Sequence, residues 1–108
     1  MTRVLHRLNL GAGYGIRDLA KVKNGFLVLA GNASPEGNPD HDPGRPFLLY
    51  FWSGAGSQVT KLAKVDRPDP DAKPEAILVL RGTAEAYDVL ILSDKAENGA
   101  PTTLHIKR

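Results

Sequence analysis

Cysteine is absent from this chain of 108 residues, which excludes disulfide bonds, thiolate metal sites and a cysteine nucleophile. Long apolar runs are missing as well, because no stretch approaches the roughly 18 residues that a membrane span needs. The first ten residues carry Arg3, His6 and Arg7 among scattered leucines, and this pattern is not that of a signal peptide. A soluble cytoplasmic protein is therefore expected, with no membrane partner.

A large excess of positive or negative charge is also lacking, since the chain has 14 Lys and Arg residues and 12 Asp and Glu residues, for a net charge of +2. The basic residues are interspersed and do not form a tract with aromatic residues between them, which argues against nucleic-acid binding. The chain does contain 42% hydrophobic residues, enough to bury a core in a chain of this length. A single domain over residues 1–108 is expected.

The clearest local pattern lies between Gly15 and Asn32, where an alternating run, a Lys-Asn-Gly turn and an apolar run follow one another. Asn-Gly is the strongest short signal for a β-hairpin, so two adjacent antiparallel strands are predicted. The segment Pro46–Trp52 is apolar and aromatic and ends at a Gly-rich turn, which predicts a central strand buried on both faces. Between them, Asn32–Arg45 is rich in Pro, Gly, Asn and Asp and predicts a long loop.

Other apolar or alternating runs predict the remaining strands, at Val4–Leu10, Gln58–Val65, Pro74–Leu80, Val89–Leu92 and Thr102–Ile106. Helical spacing is also possible for the short run Ile16–Lys23, but the Asn-Gly turn and the strand-like run that follows it favour a strand. The eight predicted strands make the chain all-β. Gly11 and Gly13 begin a dinucleotide-binding spacing, but Ile16 stands where the third glycine belongs. A nucleotide-binding loop is therefore not favoured.

The order of strand types occurs twice along the chain. The segments VLHRLNL, GIRDLA, FLVLAG and PFLLYFW align with VTKLAKV, KPEAIL, VLILSD and TTLHIKR, so that Arg17 falls over Glu75 and Gly31 over Asp94. Self-similarity at a period of tens of residues indicates a modular architecture. Antiparallel four-stranded sheets in tandem, one of them completed by strands from opposite ends of the chain, are how β-propellers close.

Two propeller-like blades are predicted, one over residues 15–66 and one over residues 73–108, with Val4–Leu10 of a neighbouring chain as the missing outer strand. An uncovered sheet face of roughly 350 Å² forfeits on the order of 9 kcal/mol, comparable to the net stability of a domain. The chain is therefore expected either to be part of a longer propeller or to assemble with itself. Since propellers have about four to eight blades, two to four chains are needed, and a homotrimer is expected.

The segments GIRDLA, GFLVLAG, PFLLYFW, KPEAILVL and VLILSD together resemble the C-terminal portion of an uncharacterised bacterial family, a domain of unknown function whose members are predicted β-propellers. The chain is also similar, more distantly, to the propeller described as esterase-like and phytase-like. The resemblance covers nearly all of this chain and about the last third of a typical family member. It implies a propeller and carries no settled activity.

The candidate ligand site consists of polar residues at the ends of the predicted inner strands, where a propeller has its channel mouth: Arg17, Asp18, Glu75 and Asp94. Arg17 and Glu75 either bind a ligand there or pair with each other. Asp18 is expected in the same group or between the blades, where a buried charge needs a partner. Asp94 is either a ligand or a turn residue. No catalytic residue is predicted, because no serine has a nucleophile-elbow pattern and no histidine a triad pattern.

Carboxylates are concentrated at Asp40 and Asp42, with His41 between them, and at Asp69, Asp71 and Glu75. Oxygen-rich loops hold Ca²⁺, and the resemblance to phytase-like propellers implies acidic sites of this kind. The alternate-position ligands of a calcium loop are missing, however, and Pro and Gly already account for the loop as a turn. No cofactor is predicted.

Two functions from different classes remain. The chain is either a non-catalytic binding or scaffold module that acts as a homo-oligomer, with an unknown small-molecule ligand, or a metal-assisted hydrolase of phosphoesters or carboxylic esters. The hydrolase would use Glu75, Asp94 and Asp18.

Overall fold

The computed structural model describes residues 2–67, 72–94 and 101–108. Those residues form seven strands and no helix, which confirms the all-β class: β1 (Tyr14–Val22), β2 (Gly25–Asn32), β3 (Phe47–Trp52), β4 (Val59–Val65), β5 (Lys73–Gly82), β6 (Ala86–Asp94) and β7 (Thr102–Lys107). Sheet 1 has the order β1-β2-β3-β4 and sheet 2 the order β5-β6-β7, and all neighbours are antiparallel. In this part of the chain there is no helix long and apolar enough to cross a membrane.

The predicted hairpin between β1 and β2 is confirmed, although its turn lies one residue earlier than the Asn-Gly signal suggests. Val22 pairs with Gly25, so Lys23 and Asn24 form the turn. Asn24 has φ of 69°, a left-handed conformation that Asn tolerates better than most residues. Gly25 serves another purpose, because a Cβ there would collide with the carbonyl oxygen of Trp52.

The predicted central strand is also confirmed. β3 pairs with β2 on one side and with β4 on the other, and its side chains are buried on both faces. Phe47 and Leu49 point towards sheet 2, whereas Leu48, Tyr50 and Trp52 point to the opposite, outer face of sheet 1. The near-continuous apolar sequence of this strand therefore follows from its having no face in water.

The two sheets pack face to face over an intersheet core. It consists of buried side chains from both sheets: Val22, Leu27, Leu29, Phe47, Leu49, Val65, Ile77, Tyr87, Val89, Ile91 and Ile106. The strands β1 and β5 lie next to each other along one side of this core, and β4 approaches β7 on the other side. The first strands of the two sheets are thus brought together, which positions the candidate site described below.

The predicted strand at Val4–Leu10 is not formed within the single chain: residues 2–10, here called the N-terminal strap, form no strand. The pairing of this segment with a neighbouring chain stays a prediction. Leu8 and Leu10 pack on an outer core formed by Val28, Ala30, Leu48, Tyr50 and Trp52. The Tyr50 hydroxyl donates to the Leu10 carbonyl at 2.9 Å, and Asn9 N donates to Ser57 O at 2.9 Å. Because its apolar side chains hold the strap against the face of sheet 1, its backbone does not reach the hydrogen-bonding groups of a sheet edge.

Candidate functional site

Arg17 and Glu75 occupy matching irregularities in two neighbouring strands. The register between β1 and β2 shifts at Arg17, which has no opposite residue on β2. The register between β5 and β6 shifts in the same way at Glu75. An extra residue of this kind bends the strand and changes the direction of its side chain. The two bulges therefore position one cation and one anion close to each other.

The Arg17 guanidinium and the Glu75 carboxylate form an ion pair between β1 and β5. The two side chains are 29% and 37% exposed, so the pair is partly screened by solvent. The contact uses Nη2 of Arg17, whereas its buried Nε has no acceptor among the described residues. Gly31 makes room for this arrangement, because a Cβ there would collide with the Phe47 ring and lie 3.3 Å from Cγ of Arg17.

Asp18 follows Arg17 but faces sheet 2. Its Oδ2 accepts a hydrogen bond of 2.9 Å from Ile77 N, and its Oδ1 accepts one of 2.9 Å from Leu19 N. Both donors are backbone N–H groups, one on β5 and one on β1. Asp18 therefore joins the two sheets and does not line the cleft beside Arg17.

A cleft of about 900 Å³ opens beside the ion pair, between the first residues of β5 and the loop of residues 33–46. Of the four residues predicted for the site, Arg17, Glu75 and Asp94 line this cleft. Asp94 lies opposite Lys73 in the register of β5 and β6, and both residues line the cleft. The structure thus brings together three of the four predicted residues.

Lys73 and Glu36 are cleft residues that the sequence did not single out. Their side chains form an ion pair that ties β5 to the long loop. The position of Lys73 beside Pro74 and Glu75 at the start of a strand was a signal for its placement near the site. No local signal marks Glu36, because it lies 37 residues earlier in a loop.

Internal hydrogen bonds hold the loop of residues 33–46 against the body of the protein. The Asn32 amide donates to Asp42 O at 2.9 Å and accepts from Asp42 N at 3.1 Å. His41 Nδ1 lies 2.8 Å from Ser34 O. Arg45 donates to Gly13 O at 3.0 Å. The cleft is therefore bounded by an ordered loop as well as by strands.

Tyr14 anchors the far end of the same loop, since its hydroxyl donates to Pro46 O at 2.8 Å. Burial raises the pKa of Tyr14 above its ordinary value, and the nearby Tyr50 adds to the increase. The Arg45 guanidinium, whose carbon lies 5.6 Å from the centre of the Tyr14 ring, opposes the increase. The neutral, hydrogen-bonded phenol is thus the form that this site favours.

The carboxylates of the cleft are dispersed. Within residues 2–67, 72–94 and 101–108 there is no group of three or more His, Asp or Glu side chains that could hold a metal ion. Asp42 Oδ1 accepts from Gly44 N at 2.9 Å, and Asp40 N donates to Asn38 Oδ1 at 2.9 Å. These are turn-forming bonds. Asp69 and Asp71, which were considered as further metal ligands, lie outside the described residues.

The charges that line the cleft balance. Three permanent cations and three carboxylates contribute to it: Arg17, Arg67, Lys73, Glu36, Glu75 and Asp94. Phe47, Pro35 and Pro43 add apolar surface. No protein-family model, curated protein or solved structure matches this chain.

Proposed function

We propose that this protein is a non-catalytic binding and scaffold module of the β-propeller type, which acts as a homo-oligomer. The observation that carries the proposal is the pairing of Arg17 with Glu75 from matching bulges on neighbouring strands. In a propeller the first strands of successive blades lie side by side around a central channel. The contact between β1 and β5 supports the proposal, because it makes the first strands of the two sheets neighbours.

The two sheets also match at positions next to the bulges, which supports an interpretation of the sheets as copies of one unit. Gly15 pairs with Gly31 in sheet 1, and Lys73 pairs with Asp94 in sheet 2. Each pair lies two positions before the bulged residue of its sheet. The alignment of Gly31 with Asp94 in the sequence therefore coincides with an equivalent place in the strand register.

Assembly is part of the proposal, because two sheets alone do not surround a channel. Propellers have about four to eight blades, so two to four chains would be needed, and we propose three. Every contact around such a ring would join different surfaces of two copies, and the ring would place one Arg17–Glu75 pair per chain at the mouth of a shared channel.

The ligand proposed for the cleft is a small polar molecule that carries both acidic and basic groups. The cleft offers guanidinium and ammonium groups next to carboxylates, and its net formal charge is zero with His41 neutral. A singly charged ligand would gain little from such a surface, since each attraction is opposed by a nearby repulsion. A zwitterion can align with both signs.

The native mass of the purified chain tests the proposal. Light scattering coupled to size exclusion at micromolar concentration should give about three times the mass of one chain. A single-chain mass over the whole concentration range would overturn the assembly and with it the channel. Circular dichroism of the same sample serves as the control, because it shows whether the β-structure is intact.

No specific observation among the described residues favours the hydrolase alternative. It needs Glu75, Asp94 and Asp18 at one point, whereas Glu75 pairs with Arg17 and Asp18 accepts from the backbone of β5. Assays on generic phosphoesters and carboxylic esters with added divalent metals separate the two classes, and turnover that is abolished by Glu75→Gln would favour the hydrolase.

A further inference from the structure

The outer face of sheet 1 is covered over only one of its halves. The strap lies on the half formed by β3, where the His6 and Trp52 rings are 5.0 Å apart and the Tyr50 hydroxyl reaches Leu10. On the other half, formed by β1, Ile16 and Leu19 are 48% and 42% exposed. An exposed apolar area, formed by Ile16 and Leu19, therefore remains beside the strap.

Sheet 2 presents a complementary surface. On the side away from the intersheet core, Leu78, Leu80 and Leu92 are 58%, 54% and 43% exposed. Among the described residues, sheet 2 has one strand fewer than sheet 1, and residues 103–107 of β7 lie at its edge, with β6 as their strand partner. An edge strand carries unpaired N–H and C=O groups that accept a further strand.

The strap has backbone groups to offer. Within the described residues its backbone takes part in three hydrogen bonds: Asn9 N donates to Ser57 O, Leu10 N donates to Leu8 O, and Leu10 O accepts from the Tyr50 hydroxyl. All three lie at its end nearest β1. Residues 2–7 make no backbone hydrogen bond there, and Val4 and Leu5 are exposed. This segment can therefore pair as a strand without first breaking backbone hydrogen bonds of its own.

We propose that sheet 2 of a second copy of this chain docks on the uncovered half of the outer face of sheet 1, so that its β7 edge meets the strap. The strap then serves as the fourth strand of the neighbour's sheet, and the leucines of sheet 2 cover Ile16 and Leu19. The occupant is a second copy because each surface lacks what the other supplies: one has a spare segment and an open apolar half, the other an open edge and an apolar face.

This inference rests on the proposed oligomer and specifies its interface. The contact joins different surfaces of the two copies, so each copy keeps one free surface of each kind and the contact repeats until a ring closes. The strap stays on its own sheet 1 throughout. The exposed apolar area of the outer face is thus already present in the single chain, and association requires only that residues 2–7 pair along β7.

Site-directed cross-linking tests the contact. Because the chain has no cysteine, Leu5→Cys can be introduced in one population and Thr103→Cys in another. The two are mixed at a concentration where the oligomer dissociates, concentrated together and treated with a short bismaleimide. The control replaces Leu5→Cys by Asp66→Cys, an exposed position at the end of β4 opposite to the strap. Intact mass spectrometry measures the mixed dimers.

The Leu5→Cys and Thr103→Cys mixture should give at least about tenfold more mixed dimer than the control pair, because the strap and β7 of two copies lie within reach of the linker. An oligomer by native mass with equal yields in both mixtures would overturn this interface and leave the proposed oligomer standing. A single-chain native mass would overturn both. A variant that lacks residues 2–7 provides a second measurement, and it should associate at least about tenfold more weakly than the full chain.

Discussion

The carboxylate of Asp18 accepts a hydrogen bond of 2.9 Å from the backbone N–H of Ile77, which joins β1 to β5 beside the intersheet core. The same carboxylate accepts from Leu19 N at 2.9 Å. Leu19 lies two residues after the bulge at Arg17, and Ile77 lies two residues after the bulge at Glu75. A single side chain thus joins the two strands next to both bulges.

Replacement of Asp18 should therefore destabilise the protein by its effect on Ile77. Asp18→Ala leaves the Ile77 N–H in a partly buried place without its acceptor, which costs about 1–3 kcal/mol of the free energy of unfolding. Asp18→Asn keeps one carbonyl oxygen and should cost less. Urea denaturation measures both, and equal losses in the two variants would show that the acceptor is not what matters.

The Arg17–Glu75 pair should contribute little to stability and more to assembly. Since both side chains are partly exposed, a double-mutant cycle with Arg17→Ala and Glu75→Ala should give a coupling energy of about 0.2–1 kcal/mol. Arg17→Ala should keep its circular dichroism spectrum but associate or bind ligand more weakly. Loss of β-structure in that variant would instead identify Arg17 as a brace of the core.

The exposed leucines of sheet 2 provide a test of the interface that does not involve the strap. Leu78→Asp should shift the native mass towards the single chain, because a charge in a dry apolar contact has no partner. The free energy of unfolding of the single chain, measured by thermal denaturation, should change by less than about 0.5 kcal/mol. Asn38→Asp, which adds the same charge in the exposed loop, is the matched control and should leave the mass unchanged.

Two buried tyrosines provide a test of the strap contact and its control. Tyr50→Phe removes the hydrogen bond to Leu10 O, which should cost about 1 kcal/mol and shift the emission of Trp52, the single tryptophan, towards longer wavelength. Tyr87→Phe removes a buried hydroxyl that has no partner among the described residues, so it should not reduce stability. A larger loss from Tyr87→Phe would contradict this assignment.

Stability should fall at alkaline pH through Tyr14. Its pKa is raised in the folded protein, so the folded state holds the phenol proton more tightly than the unfolded chain. The stabilisation is therefore complete below the ordinary value of 10.0 and is lost as the pH rises through the folded pKa. Denaturation at pH 9 and above should show a smaller decline for Tyr14→Phe than for the unchanged protein.

Much of the fold followed from local patterns in the sequence. Period-two alternation, apolar runs and turn residues predicted β1 to β7 within a few positions and the long loop before β3. These features depend on residues that are close in sequence, so they can be predicted without a structure. The alignment of Arg17 with Glu75 likewise came from self-similarity, and it selected the two residues that the structure pairs.

The rest required the tertiary structure. Val4–Leu10 has a weak strand pattern, but whether it pairs depends on a free edge within reach, and its leucines place it on the face of sheet 1. The pairing of Lys73 with Glu36 depends on where a long loop returns. Asp18 was expected either at the channel mouth or between sheets, and only its contact with Ile77 decides for the second. Strands and turns are specified by neighbouring residues and can be predicted from them. Which edges and faces meet depends on packing between residues that are far apart in the chain.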